Sequence, residues 1–153
     1  MSEQIAIGEA ARRSGVKVPT IRYYEQIGLL PAPPRSEGNR RFFDEAGLRR
    51  LAFIRHARAL GFEVEAIRAL LQLQDRPDQS CAMADEIARE RLIEVERRIA
   101  SLTALKGELE RMIRGCAHGS IADCRVIEVL ADHGHCAHDH DETASPALLP
   151  RSA

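Results

Sequence analysis

Cys81, Cys116 and Cys124 are the residues of this chain whose type and spacing could do chemistry. Thiolates are soft ligands that suit Zn(II), Cd(II), Pb(II), Hg(II) or Cu(I), depending on how many converge. Cys81 stands where a long helix should start, and the other two bracket a short loop where that helix should end. At roughly 1.5 Å per helical residue, the stretch from Cys81 to Cys116 spans about 50 Å. One chain cannot close the three thiols on one ion unless it folds back. Two antiparallel copies can, because the start of one helix lies beside the end of its partner. The cysteines therefore point to a soft-metal site and to a dimer together.

The intervening sequence supplies the partner surface. Ala88, Leu92, Val95, Ile99, Leu102, Lys106, Leu109 and Ile113 follow alternating steps of four and three, the spacing of a heptad seam. Lys106 is the charged intrusion, relieved by neighbouring Leu105. A seam of this length needs something to pack against, and the front half of the chain has its own core to fill. A homodimer is the expectation. Ser80 is placed to cap the helix, which runs to about Arg114 and is stopped by Gly115.

Composition narrows the class. Aromatic residues make up 4% of the 153, there is no Trp, and 29% are charged. Small aliphatics with abundant Arg and Glu favour helices. No apolar run approaches 18 residues and no signal-peptide pattern is present, so the chain reads as cytoplasmic, with no membrane partner. In that compartment four cysteines point to metal binding or redox sensing rather than structural disulfides. Residues 1–74 carry 12 Arg/Lys against 8 Asp/Glu, whereas the rest carries 10 against 15. A basic front half suits nucleic acid. No nucleophile–base arrangement or phosphate loop is visible, so no enzyme is expected.

The front half reads as short helices separated by glycine and proline. A helix beginning near Ile7 is broken at Ser14-Gly15, and Val18 to Ile27 forms a second, with Pro19 tolerated in its first turn and Gly28 behind it. Two short helices joined by a tight turn are a helix-turn-helix pattern. Lys17, Thr20 and Arg22 fall at the start of the second helix, the end that usually meets base edges in the major groove. The planar fork of Arg suits phosphate or a guanine edge, and Tyr23 and Tyr24 can set hydroxyls on phosphates while their rings pack. Pro31-Ala-Pro-Pro34 must be loop. Arg35, Arg40 and Arg41 flank a Gly38-Asn39 turn ahead of Phe42-Phe43, which reads as a small hairpin or wing. Asp44 is a good N-cap for a helix from Glu45 to Leu60, where Leu48, Leu51, Ala52 and Ile54 recur at helical spacing. Gly61 ends it. Glu63 to Leu73 reads as another, burying Val64, Ile67, Leu70 and Leu71.

From about residue 4 to 132 this order of elements resembles the MerR family of transcriptional regulators. The segments that carry the resemblance are Ile5-Ala-Ile-Gly-Glu-Ala-Ala11, Thr20-Ile-Arg-Tyr-Tyr-Glu-Gln-Ile-Gly-Leu-Leu30, Arg35-Ser-Glu-Gly-Asn-Arg-Arg41 and Arg55-His-Ala-Arg-Ala-Leu-Gly-Phe62. The resemblance implies that Arg22 and Tyr24 clamp the DNA backbone and that Arg35, Arg40 and Arg41 lie along the flanking backbone. Position 40 is usually aromatic in that family; Arg40 adds a candidate phosphate contact at the expense of the usual wing packing. Arg55 and Arg58 either reach phosphate or solubilise their helix.

The resemblance also implies what the cysteines do. Two loop cysteines spaced like Cys116 and Cys124 supply thiolates, and the residue matching Cys81, donated by the other protomer, tunes the metal. Sensors of monovalent copper carry Ser there, whereas sensors of divalent ions carry Cys, so Cys81 favours Zn, Cd or Pb. Hg also suits three thiolates. His118, two residues after Cys116, is a candidate fourth ligand. His133, His135, Cys136, His138 and His140 concentrate in the tail as a candidate second metal site.

The expected protein is mainly α. A winged helix-turn-helix DNA-binding head (1–75) precedes a long antiparallel coiled-coil dimerisation helix (80–114). A C-terminal metal-binding loop with a short helix near Val126 to Leu130 follows (115–132), then a His-rich disordered tail (133–153). By resemblance it binds promoter DNA as a homodimer and, on metal binding, distorts the DNA to realign the promoter for RNA polymerase. The alternatives are a Cu(I)-responsive or a redox-sensing regulator of the same family.

Overall fold

Short helices, each ended by a specific local device, build the first part of the chain in the computed structural model, which describes residues 4–33, 37, 38, 42–116, 118–132 and 134. Strand β1 (Ile5–Ala6) leads into α1 (Ile7–Ser14), and α2 (Val18–Gln26) follows. Strand β2 (Phe42–Phe43), α3 (Glu45–Ala59), α4 (Val64–Gln74), α5 (Ala82–Arg114) and α6 (Arg125–Ala131) complete the order. Two units result, Met1–Arg91 and Leu92–Ala153. No helix among the described residues is long and apolar enough to cross a membrane.

The first unit is organised around one apolar cluster. Ile21 of α2, Leu51 and Ile54 of α3 and Ile67 of α4 have no solvent exposure, and Leu29, Leu30 and Leu71 have almost none. The expected buried face of α3 holds at Leu48, Leu51 and Ile54, continues to Ala57, and leaves Ala52 exposed. α4 buries Ile67 and Leu71, with Val64 and Leu70 half-buried at the margin.

The hairpin or wing expected around the Gly38-Asn39 turn falls largely outside the described residues. Phe42-Phe43 forms β2, which pairs antiparallel with β1, Ile5 opposite Phe43 and Ala6 opposite Phe42. Burial explains the choice, since Ile5 and Phe43 both enter the core cluster. Arg35, Arg40 and Arg41 lie outside the described residues.

Helix ends account for much of the polar bonding. The α2 terminus closes with Gly28 N donating to the Glu25 carbonyl and Leu29 N to the Tyr24 carbonyl. Two later arginines cover carbonyls there: Arg68 Nη2 donates to Ile27 O at 2.7 Å and Arg50 Nε to Leu29 O at 3.1 Å. Unpaired C-terminal carbonyls are thus met by cations, which also suit the negative end of the helix dipole. At the start of α3, Asp44 Oδ1 accepts from Gly47 N at 2.7 Å, the N-cap read from the sequence. Asp44→Ala is expected to destabilise the protein by about 1 kcal/mol, measured by urea unfolding.

Candidate functional site

The helix pair α1–α2 is set by its turn. Gly15 has φ +70° and its N–H returns to Ala11 O, so the chain reverses in a left-handed step that glycine takes without strain. The space is also filled: a Cβ at Gly15 would lie 2.9 Å from Cζ of Arg55. Arg55 of α3 therefore lays its guanidinium on the turn. The sequence marks Arg55 only as a phosphate contact or a solubilising charge, because this contact joins residues forty positions apart.

The expected DNA-facing residues fall as follows. Lys17 is the N-cap of α2, with no side-chain cap bond, and is exposed. Arg22 and Tyr23 are exposed and Thr20 is half-buried. Tyr24, by contrast, is 8% exposed and belongs to the core cluster, its ring centroid 6.0 Å from that of Tyr23. Burial pushes the Tyr24 phenol above its ordinary pKa, and the nearby Arg58 guanidinium opposes that rise. The solvent face of α2 thus carries Lys17, Arg22 and Tyr23, while Tyr24 anchors the helix from behind.

Among the described residues, each of the three thiols sits at a helix end. Cys81 is exposed, and its carbonyl accepts from Asp85 N at 2.9 Å, the first bond of α5. Ser80 Oγ accepts from Ala82 N at 3.2 Å, the capping role read from the sequence. Cys116 and Cys124 are free and half-buried in the second unit. Cys116 N donates to Ile113 O, and the Cys124 carbonyl accepts from Glu128 N as α6 begins. The loop between them is not featureless. Ile121–Asp123 forms a 3-10 turn, with Ser120 Oγ donating to Asp123 Oδ2 at 2.9 Å.

The loop is closed by residues that flank the two thiols. A Cβ on Gly115 would lie 2.7 Å from Cγ of Arg125. The residue before Cys116 therefore touches the residue after Cys124, and only glycine leaves room for the arginine stem. His118, exposed, has φ +52°, a left-handed conformation uncommon outside glycine. Among the described residues no three His, Cys, Asp or Glu side chains of one chain gather as a metal site. His133, His135, Cys136, His138 and His140 lie outside the described residues.

Around the loop, α5 buries a polar side chain. Glu108 is 1% exposed and pairs with Arg111, while Met112 on the same face and Val129 of α6 are also buried. The heptad face is open instead: Ile99, Leu102, Leu109 and Ile113 are each half or more exposed, up to 68% at Ile113. Lys106 turns to Glu110, 2.7 Å away, and its hydrogen bond holds the Glu110 carboxyl below its ordinary pKa.

A glycine-turned helix pair with a cationic solvent face, packed on a second helix pair, defines a helix-turn-helix protein. Residues 5–74 match the family described as MerR HTH family regulatory protein, and residues 48–112 match MerR, DNA binding. The chain belongs to the MerR family of helix-turn-helix transcriptional regulators. It is 43% identical to the HTH-type transcriptional regulator ZntR of Escherichia coli over 81% of this chain and 90% of that protein. It is 40% identical to HmrR of Rhizobium leguminosarum over 82% of this chain and 97% of that one. Among solved structures it is similar to the transcription regulator PbrR691 of Ralstonia metallidurans in complex with lead(II). That similarity has a TM-score of 0.71 at 38% identity and covers 82% of this chain and 98% of the other.

Proposed function

We propose that this chain is a metal-responsive transcriptional activator, acting in the cytoplasm, that binds promoter DNA as a homodimer and answers to Zn(II), Cd(II) or Pb(II). The observation that carries the reading is the closed loop. Contact between Gly115 and Arg125 ties together the neighbours of Cys116 and Cys124, so two soft donors share one short, pinned segment. The lead(II) complex of PbrR691, 38% identical, supports that donor chemistry.

Residues 1–75 serve as the DNA-binding head, with Lys17, Thr20, Arg22 and Tyr23 toward the groove and backbone. Residues 80–114 dimerise through the exposed Leu92–Ile113 seam, and residues 115–132 hold the ion. Run antiparallel, the seam sets Cys81 of the partner subunit beside the loop, making three thiolates. His118, held in its left-handed conformation, is the proposed fourth donor. The bound ion supplies a positive tie between the loop of one protomer and the helix start of the other. The residues around it do the rest: α5 carries the displacement to the head, and the head bends or untwists the promoter for RNA polymerase. Activation requires that the ion favour the DNA-distorting arrangement over the resting one.

The test is a titration of reduced protein with Zn(II), Cd(II), Pb(II), Hg(II) and Cu(I), alongside transcription from its promoter. A response to divalent ions at lower concentration than to Cu(I) is expected. A response to Cu(I) alone, or to oxidation without metal, would assign the copper or redox reading.

A further inference from the structure

Outside the thiol loop and the solvent face of α2, a long-range contact ties the start of α5 to the end of α3. Arg91 of α5 donates from Nε to the Leu60 carbonyl at 3.0 Å. Leu60 caps the C-terminus of α3, where carbonyls lack intrahelical partners. The next residue, Gly61, has φ +82°, and a Cβ there would run into Arg91 Nη2 and lie 2.7 Å from its Cζ. The guanidinium therefore lies against the glycine backbone as well as on the carbonyl. Arg58 holds the other side of this turn, donating from Nη1 to Phe62 O at 2.9 Å. About one and a half turns back along the same helix, Arg55 rests on Gly15. One rigid element, α3, thus touches α5 at its end and the helix-turn-helix turn along its side.

We propose that Arg91 is a positioning residue that transmits movement of α5, through the end of α3 and Arg55, to the turn between α1 and α2. The proposal rests on the metal-responsive reading above and adds the route by which the head is moved. A side chain that both bonds the carbonyl and fills the space over Gly61 resists sliding in two directions, so α3 must follow α5. Without it, ion binding and DNA binding persist as separate events.

The test uses the full-length dimer with Zn(II), Cd(II) and Pb(II) added singly. Arg91→Met keeps an unbranched apolar stem and removes every N–H donor; Arg91→Lys restores one. Three quantities are read: metal affinity, promoter affinity without metal, and the ratio of transcription with and without metal. Arg91→Met is expected to leave both affinities unchanged and to cut the transcription ratio by about fivefold or more, the scale of a lost coupling contact. Arg91→Lys is expected to recover part of that loss. A wild-type ratio in Arg91→Met would overturn the proposal. So would a parallel fall in promoter affinity, which would make Arg91 a folding residue of the head. A wild-type protein unresponsive to every ion would overturn the regulator reading itself, a result visible before any variant is compared.

Discussion

Cys116→Ser is expected to weaken binding of Zn(II), Cd(II) and Pb(II) by about 100-fold or more while leaving promoter affinity unchanged. A serine hydroxyl stays protonated at neutral pH and is a harder donor, so one thiolate is lost outright. Structural zinc sites with four ligands bind with about 10–16 kcal/mol, or roughly 3 kcal/mol per ligand, which is two orders of magnitude in affinity. Cys116 lies in the Leu92–Ala153 unit, whereas Lys17, Arg22 and Tyr23 lie in the Met1–Arg91 unit, so the two readouts separate. Competition against a chromophoric chelator measures the first and a gel-shift titration the second. Cys81→Ser completes the experiment: the divalent response should fall with it. A divalent response that survived that change would show that three thiolates are not required.

Leu102→Glu should dissociate the dimer. Leu102 is 64% exposed in the single chain, so little folding energy depends on it. Glu is nearly as good a helix former as Leu, and α5 should keep its helicity by circular dichroism. In the proposed seam the change removes one leucine from each protomer, worth about 1.5–3 kcal/mol each if buried on pairing, and adds two carboxylates. A rise in the dimer dissociation constant of about 1000-fold follows, read by analytical ultracentrifugation. Affinity for the divalent ions should fall too, although no ligand is altered, because the proposed three-thiolate site takes Cys81 from the partner subunit. A Leu102→Glu protein that still sedimented as a dimer would place the interface elsewhere.

Much of the head is legible in the sequence because its signals are local. Asp44 sits three residues before the N–H it caps, Ser80 two residues before its own. Gly61 stands two residues past the end of α3, and the buried face of α4 repeats within a single helix. The two-residue strands are less legible. They are too short for any period, and Phe42-Phe43 takes its partner from the start of the chain because Ile5 and Phe43 share the core. Tyr23 and Tyr24 look equivalent in sequence, and only the packing of α2 puts one in solvent and the other in the core.

By itself, the sequence determined the family, the helix boundaries to within a residue or two, the exposed seam and the three cysteines proposed as donors. Each follows from residue type, cap or period within a few positions. The tertiary structure alone decided which long side chains cover which backbone groups. Arg55 on Gly15, Arg68 on the Ile27 carbonyl, Arg91 on Leu60 and Arg125 against Gly115 leave no local signature. Arginine has reach enough to serve many carbonyls, and where it lands depends on which helices pack together. Glu108 is the sharpest case. By composition it is one more charged residue on a solvated helix, yet it is buried with Arg111 as its partner. Burial of a carboxylate depends on what packs over it and on the cation beside it, and folding sets the first of these.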